Sequence, residues 1–453
     1  MLLSRDISSA TARQRKYAWY RDLTGYQWFV VAIASLGWMF DTMAQQLFSL
    51  ARAPALRDLL GNRASPGLLS LQAGYATTVF MVGWALGGVL FGVLGDRLGR
   101  AKTMILTILC YTTFTGASLL SHNIWEFNAY RFLCGLGVGG QFAVGVALVT
   151  ELVPERARPF ALGTVQAFST VGNMIAALTG IVLGQMERSG AIHNAWRYEF
   201  LVGALPAPLA LVVFTKLKEP EPWLKERAAK KKMGSFGELF SDARWRRNAI
   251  VGMLLAFSGV VGVWGIGFFS YDLFRPVLER TFRAQGLTGA ELAGKTTTWI
   301  GLTSMFQNLG CFLGVYSFTY LTYYIGRKKA FAISLLAAML ATALTFWKLC
   351  ERSQVFWMIP LMGFTQLSLF GGYAIYLPEL FPTRLRSTGT SFCYNVGRLV
   401  AAVGPLTLGM LTSQVYHGPN AMRWAGVTMC PVFLVGMAIL PFAPETNGKP
   451  LPE

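Results

Sequence analysis

Charge is scarce in this chain. Lys, Arg, Asp and Glu make up 14% of the 453 residues, while 53% are hydrophobic; soluble chains carry about 25% charged residues. The deficit excludes an ordinary water-facing surface and leaves lipid as the surroundings of most side chains. Acidic residues are scarcest, 22 against 40 basic, which gives a formal net charge of +18. Histidine is almost missing: His122, His193 and His417 all lie in loops expected outside the membrane, so no imidazole is available as a mid-depth proton relay. The six cysteines (Cys110, Cys134, Cys311, Cys350, Cys393, Cys430) fall in or beside apolar segments without a Cys-x-x-Cys, which excludes a zinc or redox motif and leaves them as packing residues. No nucleotide-binding loop, nucleophile–base pair or metal cluster occurs, so no enzyme, no metal, no bound cofactor and no ATP-driven pump is expected. Gly135-x-Gly137-x-Gly139 sits inside an apolar run and reads as helix packing.

What is present is a series of apolar runs long enough to cross lipid, which takes about 20 residues per helix. Twelve fit: 28–53, 70–94, 101–121, 124–151, 158–185 and 196–215, then 248–273, 297–323, 329–349, 353–379, 386–413 and 420–443. Basic residues are roughly twice as common on the side that carries both ends of the chain as on the other, which orients that side to the cytoplasm. Residues 1–27, polar and basic with no apolar run before Trp28, are expected to be a cytoplasmic tail rather than a signal peptide. The stretch 216–247, with Lys230, Lys231 and Lys232 and a short amphipathic segment at Phe236–Phe240, is expected to link two six-helix bundles, 28–215 and 248–443, with 444–453 as a second cytoplasmic tail. Its lysine run reads as a basic face near lipid, not as a nucleic-acid site.

The two bundles echo each other. Glu151-Leu152-Val153-Pro154-Glu155-Arg156-Ala157-Arg158 returns as Glu379-Leu380-Phe381-Pro382-Thr383-Arg384-Leu385-Arg386. Gly99-Arg100-Ala101-Lys102 returns as Gly326-Arg327-Lys328-Lys329, at an offset that differs from the first by a single position. A duplicated helical unit of this size is a transporter architecture, with substrate held near mid-depth between the repeats. The repeated segments are expected on the cytoplasmic side, where Asp96, Arg100, Glu151, Arg158, Glu379 and Arg386 form a candidate inside gate. The plainer reading is that these arginines only mark the cytoplasmic side.

Gly95-Asp96-Arg97-Leu98-Gly99-Arg100, the run Arg131-Phe132-Leu133-Cys134-Gly135-Leu136-Gly137-Val138-Gly139-Gly140, Trp196-Arg197 and Pro378-Glu379-Leu380-Phe381-Pro382-Thr383-Arg384 together resemble the major facilitator superfamily, in its sugar-porter, organic-ion and metabolite–proton branch. The stretch from Gly139 to Gln166 is most similar to sialate–proton and related organic-acid symporters, which often carry an acid where this chain has Gln141. The resemblance implies a membrane transporter working by alternating access. It also associates an arginine in the eleventh helix with anionic substrates.

Ionisable groups inside the bilayer are costly and mark function by default. With a rise of about 1.5 Å per residue, Asp41, Arg131 and Arg398 all fall roughly 20 Å from the inner side. Asp41 and Arg131 are expected to interact, directly or through water, as the proton-coupling pair; the alternative is a static ion pair. Arg398, with Tyr394 and Asn395 a turn away, suits a substrate carboxylate; the alternative is pairing with another helix. Gln45, Gln141, Gln166, Gln307 and Tyr373 are expected to line the same cavity, with Asn173, Asn308 and Gln366 as further lining amides. Asp272, near the outer end of the seventh run, is a secondary candidate. Met and Phe within the runs are expected to face lipid or pack.

The expectation is therefore an all-α protein of the cell (inner) membrane, with twelve transmembrane helices in two pseudo-symmetric bundles and both termini cytoplasmic. It would import a small organic anion, a sugar acid or monocarboxylate, with the proton as coupling ion. It would act as a monomer in the lipid bilayer, with no nucleic-acid partner. A neutral sugar or metabolite symporter or uniporter and a non-transporting membrane sensor stay open as alternatives.

Overall fold

The computed structural model describes residues 18–61, 66–401, 403–418 and 420–453. Most of the expected N-terminal tail lies outside the described residues, as does the side chain of Asp272. The described residues form helices and connecting turns, with no strand among them.

The long helices are α1 (Gly25–Leu60), α2 (Pro66–Arg97), α3 (Arg100–Ser118), α4 (Ile124–Leu152) and α5 (Arg158–Arg188), followed by α6 (Ala195–Lys216), which has a short break near Leu205. Two short helices, α7 (Glu221–Ala228) and α8 (Phe236–Ser241), occupy the linker. Next come α9 (Ala243–Ile266, π-helical over its last turn), α10 (Ser270–Ala284), α11 (Gly289–Ile325), α12 (Arg327–Lys348) and α13 (Arg352–Glu379). The chain continues through α14 (Arg386–Ser391), a π-helical segment Phe392–Val396, α15 (Gly397–Ala401) and α16 (Val403–Met410), and ends with α17 (Ala421–Phe442). Eight helices among the described residues are long and apolar enough to cross a membrane: α2, α4, α5, α6, α9, α12, α13 and α17.

Local chemistry sets the helix starts. Thr24 and Gln27 form a capping box at α1, with Gln27 N donating to Thr24 Oγ1 at 3.3 Å and Thr24 N to Gln27 Oε1 at 3.0 Å. Asn123 accepts from Glu126 N at 2.9 Å at the start of α4, and Asp242 from Arg244 N at 2.8 Å at the start of α9. Two helix starts are capped from far away in sequence. Glu219 accepts from Arg100 N at 2.7 Å and Lys102 N at 3.3 Å, and Glu445 accepts from Arg327 N at 3.0 Å and Lys328 N at 3.1 Å. Burial would raise the Glu445 carboxyl, but the backbone N–H groups of Asn447, Arg327, Lys328 and Thr446 outweigh it and hold the group below the usual carboxylate range.

Two expected segments differ. The run 248–273 ends as a helix at Ile266, because the chain passes through the π turn and a 3₁₀ turn (Gly267–Phe269) into the amphipathic α10. The run 297–323 belongs to a helix that begins earlier, at Gly289, since hydropathy marks the lipid-length part of a helix and not its polar first turns.

Close packing rests on the repeated glycines. A Cβ at Gly87 of α2 would lie 2.0 Å from Leu136 O, and one at Gly139 of α4 2.0 Å from Trp84 O, so these helices touch backbone to backbone. Gly314 of α11 stands to Gly87 as Arg327 stands to Arg100 in the duplication, and a Cβ there would lie 2.0 Å from Phe364 O of α13. The duplication thus extends to the packing surfaces. Helix α4 is the most enclosed: every residue from Gly137 to Thr150 is buried.

Candidate functional site

Two polar clusters interrupt the apolar packing. One lies at the end of the molecule that carries the linker, the other deep among α1, α2, α4 and the α14–α15 segment.

At the linker end, Arg100 opens α3 and is fully buried. Its Nε and Nη2 meet Glu151 Oε2 and Oε1 at 3.1 and 2.7 Å, its Nη1 lies 3.0 Å from Asp96 Oδ1, and Nη2 also donates to Thr383 O at 2.7 Å. Arg386 Nη1 reaches the same Glu151 Oε1 at 2.8 Å. Asp96 accepts from Ser387 N at 3.1 Å, Thr388 N at 2.8 Å and Thr388 Oγ1 at 2.6 Å, capping the first turn of α14. These contacts join the segments around Arg100 and Glu151 to the segment around Arg386. The structure therefore brings Asp96, Arg100, Glu151 and Arg386 into one seam that the two repeats share. The linker is woven in: Trp223 Nε1 donates to Asp96 O at 2.6 Å, Gly234 N to Arg384 O at 2.9 Å, and Arg384 Nε to Glu238 Oε1 at 2.8 Å.

Glu379 is placed differently. It takes a bidentate pair from Arg327 (Nη2–Oε1 2.9 Å, Nε–Oε2 3.1 Å) and a 2.6 Å hydrogen bond from Thr446 Oγ1. Arg158 acts on Glu379 electrostatically, but no ion pair joins them and its Nε has no partner. Sequence reasoning missed Thr388, Glu219, Glu445 and Thr446. A signal existed for two of them: Glu219 and Glu445 follow the last helix of their respective repeats at matching positions.

In the deep cluster, Asp41 of α1 is fully buried. Its Oδ2 accepts from Gln45 Nε2 at 3.1 Å and its Oδ1 has no partner. The expected contact with Arg131 is not formed. Arg131 turns toward α3 and α6, where Nε and Nη2 donate to Ser118 Oγ at 3.1 and 2.5 Å and Nη2 to Phe114 O at 3.0 Å. Its guanidinium carbon sits 4.6 Å from the Phe200 ring centroid and 5.4 Å from that of Phe48. A carbonyl, a hydroxyl and aromatic faces stabilise this cation in place of an acid. The cation that acts on Asp41 is Arg398, from the other repeat.

Arg398 is 6% exposed, and its Nε and Nη1 have no hydrogen-bond partner. Two rings pack against it, with the guanidinium carbon 3.7 Å from the Trp84 centroid and 4.5 Å from that of Tyr394. No ion pair within 4.0 Å joins Arg398 to Asp41. A buried cation and a buried anion thus share one region, each with an unused polar atom. Asn395 donates to Ser391 Oγ at 3.0 Å and Ser391 O at 3.1 Å and keeps Oδ1 unpartnered.

The remaining candidates spread out. Gln141 accepts from Thr107 Oγ1 at 2.6 Å, presses on Gly37 of α1 and keeps Nε2 unpartnered. Gln166 accepts from Trp38 Nε1 at 3.2 Å. Gln307 accepts from Tyr271 Oη at 2.9 Å, tying α11 to α10. Tyr373 donates to Leu255 O at 2.9 Å, which commits its hydroxyl to holding α13 against α9. Asn173 and Asn308 meet at 3.3 Å, and Gln366 ties to Thr342 and Gly262. Sequence reasoning also missed the rings of Trp38, Trp84 and Phe142, because aromatic residues in apolar runs pack or face lipid by default.

The chain is similar to known proteins. The family model described as Major Facilitator Superfamily matches residues 27–294. The cis,cis-muconate transport protein of Acinetobacter baylyi is 27% identical over 78% of this chain and 81% of its own length. The niacin transporter of the same organism is 25% identical over 94% and 96%, and the sialic acid transporter of Escherichia coli 26% over 88% and 91%. Among solved structures, a proton:xylose symporter bound to 6-bromo-6-deoxy-D-glucose superimposes with a TM-score of 0.72 at 17% identity, covering 94% of this chain and 98% of that one. At that identity the likeness speaks for the fold alone.

Proposed function

Because the chain belongs to the Major Facilitator Superfamily, a multi-pass membrane transporter family and not an enzyme family, we propose that it imports a small organic anion together with protons by alternating access. In this reading twelve spans form two six-helix bundles, 28–215 and 248–443, with both termini cytoplasmic. The linker-end seam is then the inside gate in its shut state. The names of the relatives support an acid as cargo, since muconate, niacin and sialic acid each carry a carboxyl group.

The observation that carries the proposal is Arg398, buried at the junction of the two repeats with Nε and Nη1 unpartnered and no ion-pair partner, and in electrostatic reach of the buried Asp41. Burying one unbalanced charge costs several kcal/mol. With the site empty, anionic Asp41 balances Arg398. When a substrate carboxylate arrives on Arg398, the balance returns only if Asp41 takes a proton. The Asp41–Arg398 pair is neutral when empty and when doubly loaded, whereas a singly loaded pair carries a net charge and resists enclosure. Coupling follows from this difference, with one proton accompanying one carboxylate. The other ionisable groups that act on Asp41, Tyr111 and Cys134, are neutral in their ordinary state and leave that balance intact.

The test is uptake into proteoliposomes under an inwardly directed proton gradient, with labelled nicotinate, cis,cis-muconate and N-acetylneuraminate as cargo. At least one acid should accumulate above equilibrium, and Arg398→Lys should reduce that uptake at least tenfold, because an ammonium cannot offer the planar fork. Uptake of neutral sugars with no response to acids would support the neutral-symporter alternative. No uptake of any solute would support the sensor.

A further inference from the structure

Arg398 packs against two aromatic rings and keeps Nε and Nη1 without a hydrogen-bond partner. Trp84, on α2 of the first repeat, and Tyr394, one turn before Arg398 in the second, are the two rings that pack against the guanidinium. Both rings are braced. Trp84 meets Trp264 at 6.3 Å edge-on and Phe80 at 5.7 Å, while Tyr394 stacks on Phe142 at 4.2 Å, and Phe142 meets Trp38 at 5.0 Å. The backbone of Trp84 is also fixed, because Trp84 O lies where a side chain at Gly139 would have to go. A planar cation packed on a braced ring is restrained from tilting away from it. Its N–H groups lie in the guanidinium plane, and Nε and Nη1 each retain a donor without a partner.

Building on the proposed transport of a carboxylate, the geometry points to Trp84 as the residue that positions Arg398 for that carboxylate. Trp84 and Arg398 belong to opposite repeats, so the clamp exists only where the repeats meet at this depth. Carboxylate binding therefore favours the arrangement in which they meet, by the linkage that makes any ligand stabilise the state it binds best. Trp84 adds no hydrogen bond to the cargo. Its effect is on the orientation of the guanidinium, and it falls with the strength of the ring–cation contact, from Trp to Phe to an aliphatic residue.

The experiment compares wild type, Trp84→Phe and Trp84→Leu in proteoliposomes, using whichever of nicotinate, cis,cis-muconate and N-acetylneuraminate the wild type takes up best. KM should rise about threefold in Trp84→Phe and about tenfold or more in Trp84→Leu, with Vmax within about threefold of wild type. Competition by the matching carboxamide, nicotinamide where nicotinate is the cargo, should be equally weak in all three proteins. An unchanged KM with a lowered Vmax would show a packing role and overturn the inference. If Trp84→Leu does not fold, an unchanged KM in a folded Trp84→Phe overturns it equally. Arg398→Lys separates the two levels: normal uptake there, or no uptake of any acid by wild type, removes the parent reading and this inference with it. Severe loss in Arg398→Lys combined with normal KM in both Trp84 variants refutes the positioning role alone.

Discussion

The two repeats carry the same arginine–glutamate pair and use it differently. Arg100–Glu151 in the first corresponds to Arg327–Glu379 in the second, with the same bidentate geometry. Glu151 shares its carboxylate with Arg386 of the opposite repeat, and Asp96 beside it caps α14. Glu379 instead takes Thr446 from its own C-terminal tail, and the tail also caps α12 through Glu445. Sequence explains the split: the position that answers Asp96 in the second repeat is Tyr323, which cannot accept from a helix N-terminus as a carboxylate does. A duplicated pair has thus become a seam on one side and a brace on the other. Only the seam has partners that a movement of the repeats would separate.

The largest expected effect comes from removing the shared anion. Glu151→Gln leaves Arg100 and Arg386 buried without it, at a cost of about 3–5 kcal/mol to the closed seam. Uptake should fall more than tenfold, and a Ser387→Cys reporter should label faster with a thiol reagent applied from the linker side. Glu379→Gln should lower the thermal midpoint to a similar degree while leaving that labelling unchanged. Equal opening in both variants would erase the distinction between seam and brace. The glycine contacts should behave symmetrically instead: Gly87→Ala and Gly314→Ala should each destabilise by about 1–3 kcal/mol, because each drives a methyl into a neighbouring carbonyl. A large inequality in thermal melts would mean that the helix pairs α2–α4 and α11–α13 are not equivalent.

The smallest effects belong to the remote caps. Glu219→Gln and Glu445→Gln should each cost about 0.5–1 kcal/mol. The carboxyl of Glu445 lies below the usual range, so its contribution to stability is complete above the ordinary value of about 4.3 and disappears as pH falls through the lower folded value. Thermal melts from pH 7 down to pH 3 should show the wild-type advantage over Glu445→Gln shrinking only at the acid end.

Much of this organisation was legible in the residues. Apolar run length located the eight span-length helices among the described residues, and the two echoes at nearly one offset located both arginine–glutamate pairs. Depth counting placed Asp41 and Arg398 in one region. It failed for Arg131, whose guanidinium lies beside Phe48 of α1, seven residues or about 10 Å beyond Asp41 on that helix, where Ser118 holds it. The tie from Tyr373 to Leu255 O was unreadable for a related reason, since only packing reveals which carbonyl on the next helix is near a buried phenol. Helical spacing put Tyr394 near Arg398, but Trp84 was invisible because it belongs to the opposite repeat, far away in the chain, and carries no motif.

Proton-driven accumulation set against counterflow exchange in Asp41→Asn, in the same proteoliposomes, is the decisive measurement. Asn keeps the size and the bond to Gln45 but is permanently neutral, so the site balances whenever a carboxylate sits on Arg398. Exchange should continue at near wild-type rates while accumulation under a pH gradient disappears. Accumulation that persists in Asp41→Asn would contradict the coupling role of this carboxylate.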